Sequence, residues 1–150
     1  MQKDTVPIGL SEEHLKFYQE FVAIDRVYKE LFEHSNDAIF IYDFNGTYIT
    51  VNQQAIDLLG YSESELLTMT LFDLIPERYH PACQAKLDNL RKGKSSQSHK
   101  RHFIHQEGFE IPIELSDVVV HSSNGEPLYI LSIARDITVW VLLCQFIFNQ

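Results

Sequence analysis

His99, His102 and His105 recur at intervals of three residues, and imidazoles are side chains that would hold zinc or another transition metal if they converged. The segment around them reads as a strand, however, and strand alternation sends His99 and His105 to one face and His102 to the other. No metal is therefore expected. Gly93-Lys94-Ser95 copies the end of a phosphate-binding loop, yet Asp88 stands where the loop's first glycine belongs, and a helix rather than a strand leads into it. Cys83 and Cys144 lie far apart and form no Cys-x-x-Cys pair, which points to neither a disulfide framework nor a zinc site. Asn45-Gly46-Thr47 matches the glycosylation sequon in form only. With no Gly-x-Ser-x-Gly, His-Glu-x-x-His or paired-carboxylate motif, the chain is expected to carry no catalytic residue and no enzyme activity.

The elements that would position any site belong to one ordinary domain, since 150 residues can bury roughly 68–70% of their unfolded surface. Hydrophobic residues at 45% and charged residues at 22% fit a globular chain. A net charge of -9 argues against a nucleic-acid partner, because such proteins gather positive charge to displace phosphate counterions. Lys86, Arg91, Lys92, Lys94, Lys100 and Arg101 do crowd one window, opposed there by Asp88 alone. They read as cations at a helix C-terminus and on a solvated strand rather than as a docking patch. The opening MQKDTVPIGL has no signal-peptide core, and with the cysteine usage this gives a cytoplasmic expectation.

Ser11 caps a predicted helix reaching His34, on which Phe17, Phe21, Ile24, Tyr28 and Leu31 recur every three or four residues as one apolar stripe. AIFIYD and TYITV then flank Phe44-Asn45-Gly46, a hairpin signature. Asn52 is placed to cap a short helix that ends at Gly60. Ser62-x-x-Glu65 and Thr70-x-x-Asp73 open two more, and Pro81 begins a longer helix with Cys83, Leu87 and Leu90 on one face, ended by Gly93. Three strands follow, over residues 99–106, 109–121 and 128–138, and their continuous apolar runs predict a sheet covered at least in part on both faces.

This order of elements, with "DAIFIYDFNGTYITVNQQAIDLLGYSESELL", "LFDLIPERYHPACQAKL", "HQEGFEIPIELS" and "EPLYILSIARDIT", resembles the PAS domain over about Asp37 to Thr138. The resemblance implies an α+β fold: a five-stranded antiparallel sheet of order 2-1-5-4-3, short helices on one face, and an N-terminal flanking amphipathic helix. It also implies a sensory and interaction module. Its cavity is expected to be apolar, lined by Ile39, Ile41, Leu59, Phe72, Cys83, Leu87, Leu90, Ile113 and Ile133, with Asp136 and Thr138 relaying its occupancy to an output helix.

The cofactor expectation is none, with haem or flavin as the alternatives. Photoactive LOV members carry a cysteine where this chain reads TMTLFDLIP, so an FMN adduct is not expected; Glu77 after Pro76 likewise excludes the chromophore linkage of photoactive yellow protein. In haem-binding PAS sensors the proximal histidine position falls at Cys83, or at His80 if the register shifts. Three readings follow. The first is a ligand-binding sensor that relays to an effector such as a histidine kinase or diguanylate cyclase; the second, a dimerisation domain with a filled core; the third, a haem-based gas or redox sensor. The expected divisions are a flanking helix over 1–34, the PAS domain over 35–138 and an apolar tail over 139–150. The stripe Phe17, Phe21, Ile24, Tyr28 and Leu31 is assigned to a homodimer. The tail, VWVLLCQFIFNQ, is too short to span a bilayer and is expected to bury itself against the sheet or a partner.

Overall fold

The computed structural model describes residues 11–94 and 97–149. The apolar stripe forms helix α1, Glu12–Glu33, a compact unit separate from His34–Gln150. On α1, Tyr28 and Phe32 stack at 6.1 Å one turn apart, and Asp25 pairs with Lys29 at 3.1 Å, the spacings at which helical neighbours meet. Tyr28 and Leu31 are 52% and 70% exposed. The side chains of Phe17, Phe21 and Ile24, assigned to the same stripe, lie outside the described residues.

The second unit begins with the hairpin of β1, Ala38–Tyr42, and β2, Tyr48–Val51. Asp43 organises its turn by accepting hydrogen bonds from the Asn45 and Thr47 amides at 2.9 and 3.0 Å. Gly46 takes φ +87°, and a Cβ there would lie 2.9 Å from Leu71, so the glycine allows the hairpin tip to close against the helices.

Asn52 then joins sheet to helix. Its Oδ1 accepts from the Ile39 amide at 2.9 Å and the Ala55 amide at 3.1 Å, while its Nδ2 donates to the Asp37 carbonyl at 3.0 Å. The same side chain therefore caps α2, Gln53–Leu59, and fixes the start of β1. Helix α3, Glu63–Leu66, starts at the Ser62 cap; α4, Leu71–Leu74, starts where Asp73 accepts from the Thr70 amide. A 3-10 turn, Glu77–Tyr79, leads into α5, His80–Arg91.

Strands β3, His99–Ile104, β4, Glu110–His121, and β5, Pro127–Asp136, complete a five-stranded sheet of order β2-β1-β5-β4-β3 with antiparallel neighbours throughout. This is the expected sheet order. One face packs Phe40, Phe103, Ile113, Leu115 and Ile130 against Leu59, Leu66, Leu74, Leu87 and Leu90 of the helices. The other face is covered in part: Ile39, Ile41, Leu131 and Ile133 are half-buried, and Val118 is exposed.

The apolar tail forms helix α6, Thr138–Phe148. It is not buried against the sheet. Trp140, Leu142, Phe146 and Ile147 are all more than half exposed where the helix leaves the end of β5. Among the described residues, no helix is long and apolar enough to cross a membrane.

The Asn52 clamp yields a stability prediction. Asn52→Ala removes a cap, leaving the buried Ala55 amide and the part-buried Asp37 carbonyl and Ile39 amide without their partner, so urea unfolding is expected to show a loss of about 1–3 kcal/mol. A loss below about 1 kcal/mol would mean that water replaces the clamp.

Candidate functional site

The alternation of Ile111, Ile113 and Leu115 toward the core carries one residue further, to Asp117, whose side chain is completely buried. A carboxylate in such a place requires partners. Tyr42 on β1 donates its hydroxyl to Oδ1 at 3.1 Å, and Lys86 on α5 brings Nζ to 3.3 Å from Oδ2. The Lys86 ammonium also lies 5.9 Å from the centre of the Tyr42 ring. Burial first, and the Asp117 charge second, push the Tyr42 phenol well above its ordinary pKa, which keeps it a neutral donor.

His99 is the fourth member. Its Nδ1 lies 3.0 Å from the Gln97 carbonyl, a pure acceptor, so the neutral ring carries its proton on Nδ1. Nε2 then faces Asp117 Oδ2 at 3.7 Å with a lone pair. Neither atom has a hydrogen-bond partner among the described residues. Burial holds the His99 ring below its ordinary pKa; the Lys86 and Arg101 charges act the same way, and Asp117 and the Gln97 carbonyl oppose them.

The cluster stands at the edge of a nearly filled interior. Among Phe40, Tyr42, Tyr48, Phe103, Ser132 and Lys86 only about 10 Å³ is open to a water-sized sphere, room for roughly one water. Of the residues expected to line an apolar cavity, Leu59, Cys83, Leu87, Leu90 and Ile113 are buried in the core, and Phe72 is half-buried at its margin. Ile39, Ile41 and Ile133 are not in it. Their strands place them on the opposite face, where Ile39 pairs with Ile133, while Phe40, Tyr42, Ser132 and Ala134 point inward. A period of two allows either parity, and choosing the isoleucines for the interior selected the wrong one.

The residues proposed for haem do not fit that group. His80 Nε2 is 2.9 Å from both the Phe72 and the Ile75 carbonyls, so its proton is shared between two acceptors and the ring ties α4 to α5. Cys83 is buried among the side chains of the core cluster, and it does not line the small void on the inner face of the sheet. The three spaced histidines also diverge: His99 faces Asp117, His102 meets the Tyr79 hydroxyl at 2.8 Å, and His105 stacks on Phe109 at 4.3 Å. No metal-ligand group forms among the described residues.

At the sheet's exit, Asp136 Oδ1 accepts from the Thr138 amide at 2.8 Å and from its hydroxyl at 2.5 Å, and the Ile137 amide donates to the Pro112 carbonyl at 3.0 Å. These bonds set the angle at which α6 leaves β5. A family profile described as PAS domain matches residues 36–139. The chain belongs to the PAS domain family. It is 28% identical over 131 residues, 87% of its length, to the methyl sulfide methyltransferase-associated sensor of Methanosarcina acetivorans, of which it spans 13%. A domain of the sensory box sensor histidine kinase/response regulator of Geobacter sulfurreducens superimposes with a TM-score of 0.64 at 30% identity, covering 77% of this chain and 96% of that one. The PAS domain of an HTR-like protein from Haloarcula marismortui gives 0.68 at 24% identity, covering 81% and 98%.

PAS domains serve as sensor modules in signalling proteins, and no catalytic family is indicated for this chain. Within this PAS domain, Lys86 and Asp117 are the residues that a search for apolar pocket walls passes over. The signals were present: Asp117 continues the parity of Ile111, Ile113 and Leu115, and Lys86 lies one helical turn from both Cys83 and Leu90.

The depressed His99 pKa has a sign in stability. The unfolded ring titrates near 6.5 and the folded ring below it, so as pH falls through about 6.5 the unfolded chain takes up the proton first. His99 should therefore reduce stability progressively from that pH down to its folded pKa and leave it unaffected above. Urea midpoints of wild type and His99→Gln, measured at several pH values, should show a smaller acid loss in the variant; parallel curves would remove His99 from the account.

Proposed function

We propose that this PAS domain is a non-enzymatic sensory relay in which a change at the buried Tyr42–Asp117–Lys86–His99 cluster passes through β4 and β5 to the Asp136–Thr138 joint and helix α6. The observation that carries this reading is the ladder itself. Asp117 on β4 lies opposite Ser132 on β5, and Ser132 lies opposite Phe40 on β1, so the carboxylate at the centre of the cluster is paired directly to the strand that leads to the joint. From Ser132 the strand continues four residues, roughly 13 Å, to the joint. A displacement at Asp117 has a short, hydrogen-bonded route to the base of α6.

The filled interior favours a module without a bulky apolar ligand in its core, the second of the readings drawn from the sequence. The effector is proposed to be of the histidine kinase class, as in the Geobacter protein. A second copy is proposed to pair through the α1 stripe, consistent with the exposure of Tyr28 and Leu31.

Hydrogen exchange tests the relay. Lys86→Met is expected to change exchange in β5 and α6 together, and adding Asp136→Ala, which removes the joint's acceptor, should leave the β5 change while suppressing its spread to α6. An α6 that does not respond to Lys86→Met defeats the relay. The pairing has its own test in sedimentation: Phe21→Glu with Tyr28→Glu should convert a dimer to a monomer, and a dimer that persists moves the interface elsewhere.

A further inference from the structure

Lys86 borders two spaces. Its inner side closes the small interior void, and its outer side lines a surface cleft of about 400 Å³ between α5 and β3, a volume suited to a small ligand. Ala82 and Ala85 leave room along the helical wall, where Asn89 supplies an amide; Gln97, His99 and Arg101 form the facing wall.

The charges in this cleft oppose those of the chain. With His99 neutral, Lys86 and Arg101 outnumber the buried Asp117 behind them, in a protein whose net charge is -9. The Lys86 side chain is only 9% exposed, so its ammonium is held in place rather than solvated at random. Arg101 is fixed as well: its Nη1 donates to the Lys100 carbonyl at 2.8 Å, and its guanidinium lies 5.3 Å from the centre of the Tyr79 ring. Its Nε, however, is buried and has no acceptor among the described residues. A buried guanidinium N–H without an acceptor is costly, and Arg101 is also a lining residue of the cleft, where a guanidinium is a preferred partner for an oxygen anion.

We propose that the α5–β3 cleft is a binding site for a small oxyanion, a carboxylate or phosphate group, held by Arg101 and Lys86 with the Asn89 and Gln97 amides completing its shell. Drawing Lys86 toward the ligand loosens its ion pair with Asp117, which supplies an input to the cluster. The binding claim is independent of the relay; only this last consequence rests on it.

Calorimetric titration with succinate and, separately, with inorganic phosphate tests the site. At least one of them is expected to saturate with a Kd of about 1 mM or tighter, and competition between the two shows which oxyanion the cleft prefers. Arg101→Gln should weaken binding by about 10-fold or more. Lys92→Ala, outside the cleft, should not change it. Because Lys86→Met also breaks the Asp117 ion pair and so mixes binding with the relay, Ala85→Phe serves as the second variant: it fills the cleft from the solvent side without altering a charge, and should abolish binding. Failure of both anions to bind the wild-type chain, or binding that survives both Arg101→Gln and Ala85→Phe, overturns the proposal. Failure of the relay alone would appear differently, as normal binding with no change in α6 hydrogen exchange.

Discussion

The fold depends on one buried amide. Asn52 is fully enclosed, and its side chain meets three main-chain groups that no regular ladder satisfies: the Asp37 carbonyl, the Ile39 amide and the Ala55 amide. A buried peptide group needs a partner, and Asn52 supplies one acceptor and one donor at the point where the chain passes from the hairpin to the helices. The helical layer takes its starting position from this clamp. Leu59, Leu66, Leu74 and Leu87 then complete the packing across the face presented by Phe40 and Ile113.

The second buried polar group is of another kind. Asn52 holds the backbone, whereas Asp117 and Lys86 are opposite charges inserted into a core that apolar residues could fill. Buried pairs of this sort commonly add little stability over a hydrophobic replacement, although removing one partner is strongly destabilising. Stability alone therefore does not account for the pair. What it provides is a charged centre anchored on β4, in which Asp117 Oδ2, ion-paired with Lys86, also faces His99 Nε2, and neither Oδ2 nor Nε2 has a hydrogen-bond partner among the described residues. Proton, ligand or ion-pair changes act on such a centre more strongly than on a methyl-lined cavity.

Much of the fold was legible because local chemistry and tertiary structure agree. The Asn52 cap, the Gly60 stop, the Ser62 cap and the turn at Gly46 each form where their residue types place them. The site was less legible. Strand periodicity gives two faces without saying which is inside, and the isoleucines of β1 and β5 made the outer face look like the core; in the structure Phe40 and Tyr42 fill the inner one. At α6 hydrophobicity alone did not separate burial against the sheet from burial against a partner, and Trp140 and Phe146 are exposed on the single chain. His80 and His102 could be judged only from their partners, since carbonyl and phenol contacts are invisible to spacing.

The filled interior and the polar cluster together favour a particular kind of signalling. A cavity sensor responds to volume: a ligand enters, side chains repack, and the sheet bends. Here the void beside the cluster has room for about one water, so a ligand entering there requires the core itself to move, at the expense of close packing. The charged cluster requires no such expansion, because a change in who pairs with Asp117 alters forces on Tyr42, Lys86 and His99 from β1, α5 and β3 at fixed volume. The strand bearing Asp117 is hydrogen-bonded along β5 up to Asp136, and the Ile137 amide is tied to Pro112 on that same strand. Asp117 and the base of α6 thus lie on one hydrogen-bonded pair of strands, β4 and β5, along which the proposed relay runs.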